Sequence, residues 1–359
     1  MTLILGIESS CDETAASIVR NGNEVLSNIV ASQDDLHVAF GGVVPEIASR
    51  AHLERILPVI TQTLEKADVP LDALDAIAVG NRPGLIGSLL VGVASAKTLA
   101  WMLDKPLISV DHVLAHLWAP NLNDAHDVND LNDVHDATIS YPALGLVVSG
   151  GHTSLLLLQD ANTAICLGKT IDDAAGEAFD KASSILGLGW PGGARIDTAA
   201  SKGNPIHQLP RPKTKGTRPD FSFSGLKTAL LYGVRGNPTR KDGQTVFPRD
   251  ASSLSEQDVF DWASSFQEAA VDSIMNGVRH ALGDNQVRCI LAGGGVLANT
   301  LLRKQLVATA EGCNIPIHLP DFNYCVDNAA MIAGLGYHLY ESGHRDQLDI
   351  TASPKGIAS

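Results

Sequence analysis

Two stretches of this 359-residue chain repeat one pattern, and the repetition limits what the chain can fold into. Gly6 to Val19 reads as an apolar strand, a polar turn carrying Glu8, Ser9, Ser10, Cys11, Asp12 and Glu13, and a returning strand. Ala143 to Leu158 reads the same way around Ser149-Gly150-Gly151-His152-Thr153. Each unit alone says little, because any tight turn between strands needs small polar residues. Together they predict a duplicated α/β fold whose halves each aim a turn at a shared ligand. The length agrees, since 359 residues exceed what one hydrophobic core usually serves. The adjacent glycines of the second turn can present consecutive backbone N–H groups to a phosphate with no side chain in the way.

A second feature points to a metal. Asp111-His112-Val113-Leu114-Ala115-His116 follows the apolar strand at 107–110 and reads as a helix start. Two imidazoles four residues apart stand one above the other on a helix and can grip one ion. A polar helix face is the commoner reason for such a pair, so a third ligand has to decide. Asp327, at the start of the last helical stretch, is either an ordinary cap or that ligand. In the H-E-x-x-H motif of zinc proteases a Glu follows the first His and activates water; here Val113 stands there, so peptide hydrolysis lacks its base. A third feature is Ala292-Gly293-Gly294-Gly295-Val296-Leu297-Ala298-Asn299, a Gly-rich passage from strand to helix of the kind that lets a nucleotide approach bare backbone, or that serves tight packing alone.

Periodicity predicts further helices: about 46–66, kinked at Pro58; from Pro83-Gly84-Leu85 to about 103; from Asp172 as N-cap to about 186; and from a Ser253/Glu256 capping box to about 282. Between 121 and 136 stand nine Asp or Asn residues without the Gly and Glu of a calcium loop, which reads as a solvated, mobile insertion. The five cysteines are scattered, and most are expected to be small buried hydrophobes. No apolar run is expected to reach the roughly 18 residues that span a bilayer, so the reading is cytoplasmic with no membrane partner.

The net charge of −14 disfavours a polyanionic partner, but its distribution does not. From Lys202 to Lys241 there are nine Lys or Arg against the single acid Asp220. Such a stripe either follows phosphates or is a solvated loop, since association depends on the local field.

Several motifs taken in order resemble one family: Glu8 to Thr14, Gly41 to Arg50, His112 with His116, Val148 to Thr153, Ile171 to Lys181, Asp220 to Lys227, Gly294 to Asn299 and Asp327 to Ile332. The family is the bacterial and organellar tRNA N6-adenosine threonylcarbamoyltransferases (TsaD, also Gcp or YgjD), in the actin, sugar-kinase and Hsp70 superfamily. The resemblance runs from Gly6 to about Ala333. It implies two duplicated actin/Hsp70/sugar-kinase-like (ASKHA, RNase H-like) subdomains with the ligand cleft between them. One comprises 1–118 plus 325–359 and the other 138–324, which carries the basic segment 202–241; 119–137 is the insertion. It further implies one Fe2+ or Zn2+ held by His112, His116 and Asp327, and an adenylate-type nucleotide ligand. Threonylcarbamoyl-AMP is then held by Val147, Val148, Ser149, Gly150, Gly151, Asp180, Gly193, Asp197 and Asn299. The implied partners are tRNA, a TsaB-type paralogous subunit and a TsaE-type small ATPase. Two departures stand out: Arg82-Pro83-Gly84 where the family has Gly-Pro-Gly, and a tail, Thr351 to Lys355, in place of a basic, Trp-containing one.

The implied chemistry suits these parts. The exocyclic adenine amine is a poor nucleophile, so the carbamoyl carbon has to arrive as a mixed anhydride with AMP as leaving group, and the protein positions and polarises the reactants. Asp12 is the candidate to accept the amine proton or to approach the metal. The competing readings are an ATPase or small-molecule kinase of the same superfamily, which needs the two turns but not the His pair, and a metal-free paralogous scaffold. Metal content separates both from the transferase.

Overall fold

The structure, a computed structural model, describes residues 1–40, 42–125, 139–161, 163–211, 218–241 and 244–356. It divides into two units: Met1–Ser140 with Leu158–Ala164 and His318–Ser359, and Tyr141–Leu157 with Ile165–Ile317.

The first unit begins with β1 (Leu3–Glu8), β2 (Glu13–Arg20), β3 (Glu24–Ser32), α1 (Asp34–His37), α2 (Pro45–Ala67) and β4 (Ala76–Arg82). It continues with α3 (Ile86–Leu103), β5 (Leu107–Asp111), the one-turn helix α4 (His112–His116) and β6 (Asn123–Asp124). The sheet order is β5-β4-β1-β2-β3-β6, with β1 antiparallel to β2 and parallel to β4. All six residues of β1 are buried, as a central strand covered on both faces requires. Leu3, Leu5 and Ile7 share a core with Ile56, Val59 and Ile60 of α2 and Val91, Val93 and Ala96 of α3. Each such aliphatic side chain contributes about 1.5–3 kcal/mol. The insertion expected at 119–137 starts on the sheet, since β6 pairs with β3 through Glu24↔Asn123; from residue 126 to 138 it lies outside the described residues.

The second unit contains β7 (Ala143–Val148), β8 (Thr153–Leu158), β9 (Ala164–Lys169), α5 (Ala175–Leu186), α6 (Gly192–Ala200) and α7 (Ser224–Arg235). After these come β10 (Thr239–Lys241), β11 (Gln244–Val246), α8 (Glu256–Asp284), β12 (Cys289–Gly293), α9 (Thr300–Cys313) and β13 (Ile317–His318). The order β13-β12-β7-β8-β9 repeats β5-β4-β1-β2-β3 of the first unit, so the duplicated α/β, actin/sugar-kinase-like fold is present. The chain then returns to the first unit as α10 (Ala329–Glu341). A Cβ on Gly6 of β1 would stand 2.3 Å from the Ala329 carbonyl oxygen of α10, so glycine permits this close packing.

Helix α2 runs through Pro58 as the single helix expected. Several local expectations are corrected. Helix α5 starts two residues late, with Ala174 as N-cap: Asp172 instead accepts from Phe223 N (2.8 Å), Ser222 Oγ (2.5 Å) and Ser224 Oγ (2.9 Å), clamping the start of α7. The capping box of α8 is Ser255 with Asp258, two residues beyond the expected pair. Ile86–Leu103 is, by length and composition, apolar enough to cross a membrane, contrary to expectation, although one face lies in the core described above. Only Cys289 and Cys325 are buried, while Cys313 is exposed. Apart from these corrections, Phe221 and Phe223 are core residues, at 3% and 0% exposure, as their strand spacing suggests.

Candidate functional site

In the first unit β5 runs straight into α4, and the Asp111 side chain makes the junction by accepting from Val113 N (3.0 Å) and Leu114 N (3.2 Å). Such a cap is worth about 1 kcal/mol and fixes where the short helix starts. His112 and His116 therefore lie on one face, both buried, with ring centroids 4.7 Å apart. Asp327 reaches them from the residue before Asn328, the true N-cap of α10, whose side chain accepts from Met331 N. Asp327 Oδ1 is 3.1 Å from His116 Nε2 and 3.5 Å from His112 Nε2. One ligand atom from each of the three residues lies within 4.8 Å of the others.

Glu8, at the end of β1, completes the arrangement. Its Oε2 is 3.0 Å from His112 Nδ1, and its Oε1 accepts from Ser10 N at 2.5 Å. A carboxylate on Nδ1 fixes the ring and leaves Nε2 for a metal, the usual outer support of a ligating histidine. A Cβ on Gly80 would stand 2.6 Å from Glu8 Oε2, so β4 leaves room for this carboxylate. His52 holds the turn from behind, with Nε2 3.0 Å from the Cys11 carbonyl and Nδ1 2.8 Å from Thr14 Oγ1.

The electrostatics call for a cation. Burial opposes charge on His112, but the Glu8 and Asp327 carboxylates outweigh it and push its pKa up to about 9. Burial, then Asp327 and Asp12, push the Glu13 carboxyl up, and burial with Asp12 and Asp327 raises the Cys11 thiol. Both nitrogens of His116 are buried without a hydrogen-bond partner, although Nε2 is close to Asp327. Proximity without hydrogen-bond geometry is what two groups facing a common ion show. Two imidazoles and a carboxylate fit a divalent transition metal.

The tail reaches the same corner. Asn81 Nδ2 donates to the Thr351 carbonyl (3.2 Å), Ser353 N donates to the Asn81 carbonyl (2.9 Å), and a Cβ on Gly356 would be 3.1 Å from Asp111 Oδ2. The Thr351 to Lys355 segment thus packs beside the cap of the histidine helix.

In the second unit the two Gly-rich turns sit at the C-terminal ends of adjacent parallel strands, where Val147 pairs with Gly293. That end is where open parallel sheets bind ligands. Ser149 N donates to the His152 carbonyl (2.7 Å), and Ser149 Oγ accepts from His152 N (3.1 Å), closing the turn. A Cβ on Gly150, Gly151 or Gly193 would meet nothing within 4 Å, so these backbones are bare. Gly294 has φ +103°, and its Cβ would be 2.3 Å from the Val148 carbonyl oxygen; only glycine joins the two turns this closely.

Asp180 Oδ1 accepts from Gly192 N at 2.7 Å and ties α5 to α6. Asp197 Oδ1 accepts from Thr300 Oγ1 (2.9 Å) and Thr300 N (3.3 Å) at the start of α9. Asn299 is the N-cap there, accepting from Leu302 N (3.0 Å) and donating to Gln267 Oε1 (2.8 Å). The expected residues thus fall in two units: His112, His116 and Asp327 together in the first, where Asp12 clusters with Glu13 and Asp34, and Val147 to Gly151, Asp180, Gly193, Asp197 and Asn299 in the second. Sequence reasoning missed the roles of Glu8, His52, Gln267 and Thr300. The available signal for Glu8 was an acid ending a wholly apolar strand.

Comparison with known proteins decides the family. A sequence profile described as tRNA N6-adenosine threonylcarbamoyltransferase matches residues 24–334. The chain belongs to the tRNA N6-adenosine threonylcarbamoyltransferase family. It is 47% identical over 354 residues to the member of that name from Symbiobacterium thermophilum, covering 98% of this chain and 96% of the relative. To the Syntrophomonas wolfei member it is 46% identical, covering 98% and 97%. Among solved structures, HypF of T. kodakarensis superposes with a TM-score of 0.55 at 15% identity, over 95% of this chain and 48% of that one, a likeness of fold alone.

Proposed function

We propose that this chain transfers the threonylcarbamoyl group from threonylcarbamoyl-AMP to the N6 amine of the adenosine 3′ of the anticodon in tRNAs that read A-starting codons. The amine nitrogen bonds to the carbamoyl carbon, the bond from that carbon to the phosphate oxygen breaks, AMP leaves and the amine gives up a proton. The observation that carries the reading is the His112–His116–Asp327 cluster, with both histidines buried, in a chain so similar to proteins named for this activity. An ATPase or kinase of the same fold has no use for it.

In this reading the backbone of Val147 to Gly151 and Gly193 receives the phosphate and nucleoside, with N–H groups in place of charged side chains. Asp197 and Asn299 bring polar side chains at the start of α9, and Asp180 sets α6 against α5. His112, His116 and Asp327 hold Fe2+ or Zn2+, which when bound supplies Lewis-acid polarisation. Glu8 keeps the His112 ring oriented with Nδ1 protonated, and Asp12, at 9% exposure, receives the amine proton. A protein partner is supported by the apolar surface of the α2/α3 pair, where Leu53 and Leu57 are 65% and 68% exposed and Ile86 and Leu90 48% and 53%. We assign the TsaB-type paralogous subunit and the TsaE-type ATPase as partners, in the cytoplasm, where tRNA is.

The test is to incubate the chain and its partners with preformed threonylcarbamoyl-AMP and unmodified tRNA, then digest the tRNA to nucleosides. Equal amounts of AMP and threonylcarbamoyladenosine are expected. AMP without the modified nucleoside would make the chain a hydrolase of the adenylate and overturn the reading.

A further inference from the structure

The basic stretch noticed in the sequence divides sharply in the structure. Its described early cations already have partners: Arg211 bridges Glu268 (2.7 Å) and Asp272 (2.6 Å), Lys227 pairs with Asp173, Arg218 stands 3.8 Å from Asp220, and Lys202 lies over the Phe260 ring. An ion pair inside the protein has no counterion to release, so these residues add little to a polyanion's attraction. Lys213 and Lys215 lie outside the described residues.

The ribbon β10–β11 is different. All six of its strand residues are exposed. It is antiparallel, with Arg240 opposite Thr245 and Lys241 opposite Gln244. Neighbouring residues on a strand point to opposite faces, so Arg240 and Lys241 give each face of the ribbon one cation. At its base Arg249 N donates to the Arg235 carbonyl (3.1 Å) and Arg249 Nη2 to the Gly233 carbonyl (2.8 Å), which ties the chain leaving the ribbon to the end of α7. The acids of the segment are Asp242, outside the described residues, and Asp250, which lies near Arg235 and also accepts from Ser252 N (3.0 Å). Four cations against two acids make this segment locally positive on a chain of net charge −14. A two-stranded ribbon with no buried face is marginal in water by itself. Its shape and charge are those of a prong that lies between two phosphate strands.

We propose that the β10–β11 ribbon contacts the tRNA backbone, with Arg240 and Lys241 each reaching a phosphate. This rests on the tRNA-transferase reading. Phosphate contacts orient without reading sequence, so the ribbon adds affinity shared by all tRNAs of the substrate class.

The experiment compares the full chain with its Arg240→Ala/Lys241→Ala variant in equilibrium binding to an unmodified transcript of a tRNA that reads an A-starting codon, over a range of salt. Removing two phosphate contacts is expected to flatten the slope of log K against log[salt] by about 1.5–2 and to weaken binding on the order of tenfold or more at ~0.1 M salt. Arg211→Ala, which removes a cation already paired with acids, is expected to leave the slope unchanged. Binding of threonylcarbamoyl-AMP and the melting temperature are expected to match wild type for the double variant, because its side chains bury nothing. An unchanged slope while wild type binds and modifies tRNA overturns the ribbon's role and leaves the function standing. A wild-type chain that neither binds nor modifies tRNA overturns both. Loss of slope equal to that of Arg211→Ala would show a diffuse charge effect and also overturn the proposal.

Discussion

The two units build their candidate sites from different materials. The first uses ionisable side chains taken from water: buried Glu8, His112 and His116 converge with the partly buried Asp327 where burial raises the cost of an unpaired charge. The second uses bare backbone, Gly150, Gly151 and Gly193, with helix starts tied by Asp180, Asp197 and Asn299. The same strand order carries both, so the sheet supplies position and the loops supply chemistry. A cation has to be held permanently by fixed ligands, whereas a nucleotide comes and goes and is better met by N–H groups that need no counter-charge. Substitutions in the first unit are therefore expected to change metal retention, and those in the second to change ligand binding.

The sharpest way to break this division is Gly294→Ala. Its Cβ would press on the Val148 carbonyl at 2.3 Å from a left-handed backbone, at a cost of about 3 kcal/mol. Calorimetry should show adenylate binding lost while the metal content of the purified protein stays at one per chain; loss of both together would deny the separation.

Next is the pH dependence of the metal-free chain. His112 is raised from 6.5 to about 9 in the folded state, so its contribution is fully present below pH 6.5 and disappears as pH rises through 9. The amount is about 3 kcal/mol for a shift of this size in a buried group. Urea unfolding should show metal-free protein losing stability from pH 6.5 to 9 and the metal-loaded protein losing much less, because the ion takes the place of the proton.

Glu8→Gln sharpens the comparison further. It keeps the shape and removes the charge that orients His112, and metal affinity measured by chelator competition should fall by about 10–100-fold. Adenylate binding should not change. The smallest effect belongs to Asn81→Ala, which cuts the side-chain bond to Thr351 and loosens the tail beside Asp111. It should cost about 1 kcal/mol and speed metal release by less than tenfold, with no change in nucleotide affinity.

The fold's duplication was legible because strand-turn-strand patterns survive as local sequence, and both units appeared where the polar turns stood. The histidine pair was legible because a four-residue spacing is a helical geometry in itself. Asp327 was visible only as one of two alternatives, since its partners are more than 200 positions away in the chain. Glu8 could not be assigned a partner for the same reason. Asp172 misled because a helix cap and a clamp on a distant helix look alike in sequence: both are an Asp before a helical period. The basic stretch misled in the opposite way, since Arg211 is answered by two acids of α8 and Lys227 by Asp173, which only the folded chain brings near. The α8 capping box was displaced by two residues because Ser253 and Ser255 both satisfy the same pattern.

The most direct test of the account joins metal and transfer in one titration. Metal-free chain, with its partners, unmodified tRNA and labelled threonylcarbamoyl-AMP, is titrated with Fe2+ or Zn2+, beside His112→Ala. The account predicts that label enters tRNA in proportion to bound ion, saturating at one per chain, and that His112→Ala neither binds the ion nor transfers label. Full transfer by the metal-free chain, or by His112→Ala without a bound ion, would contradict it.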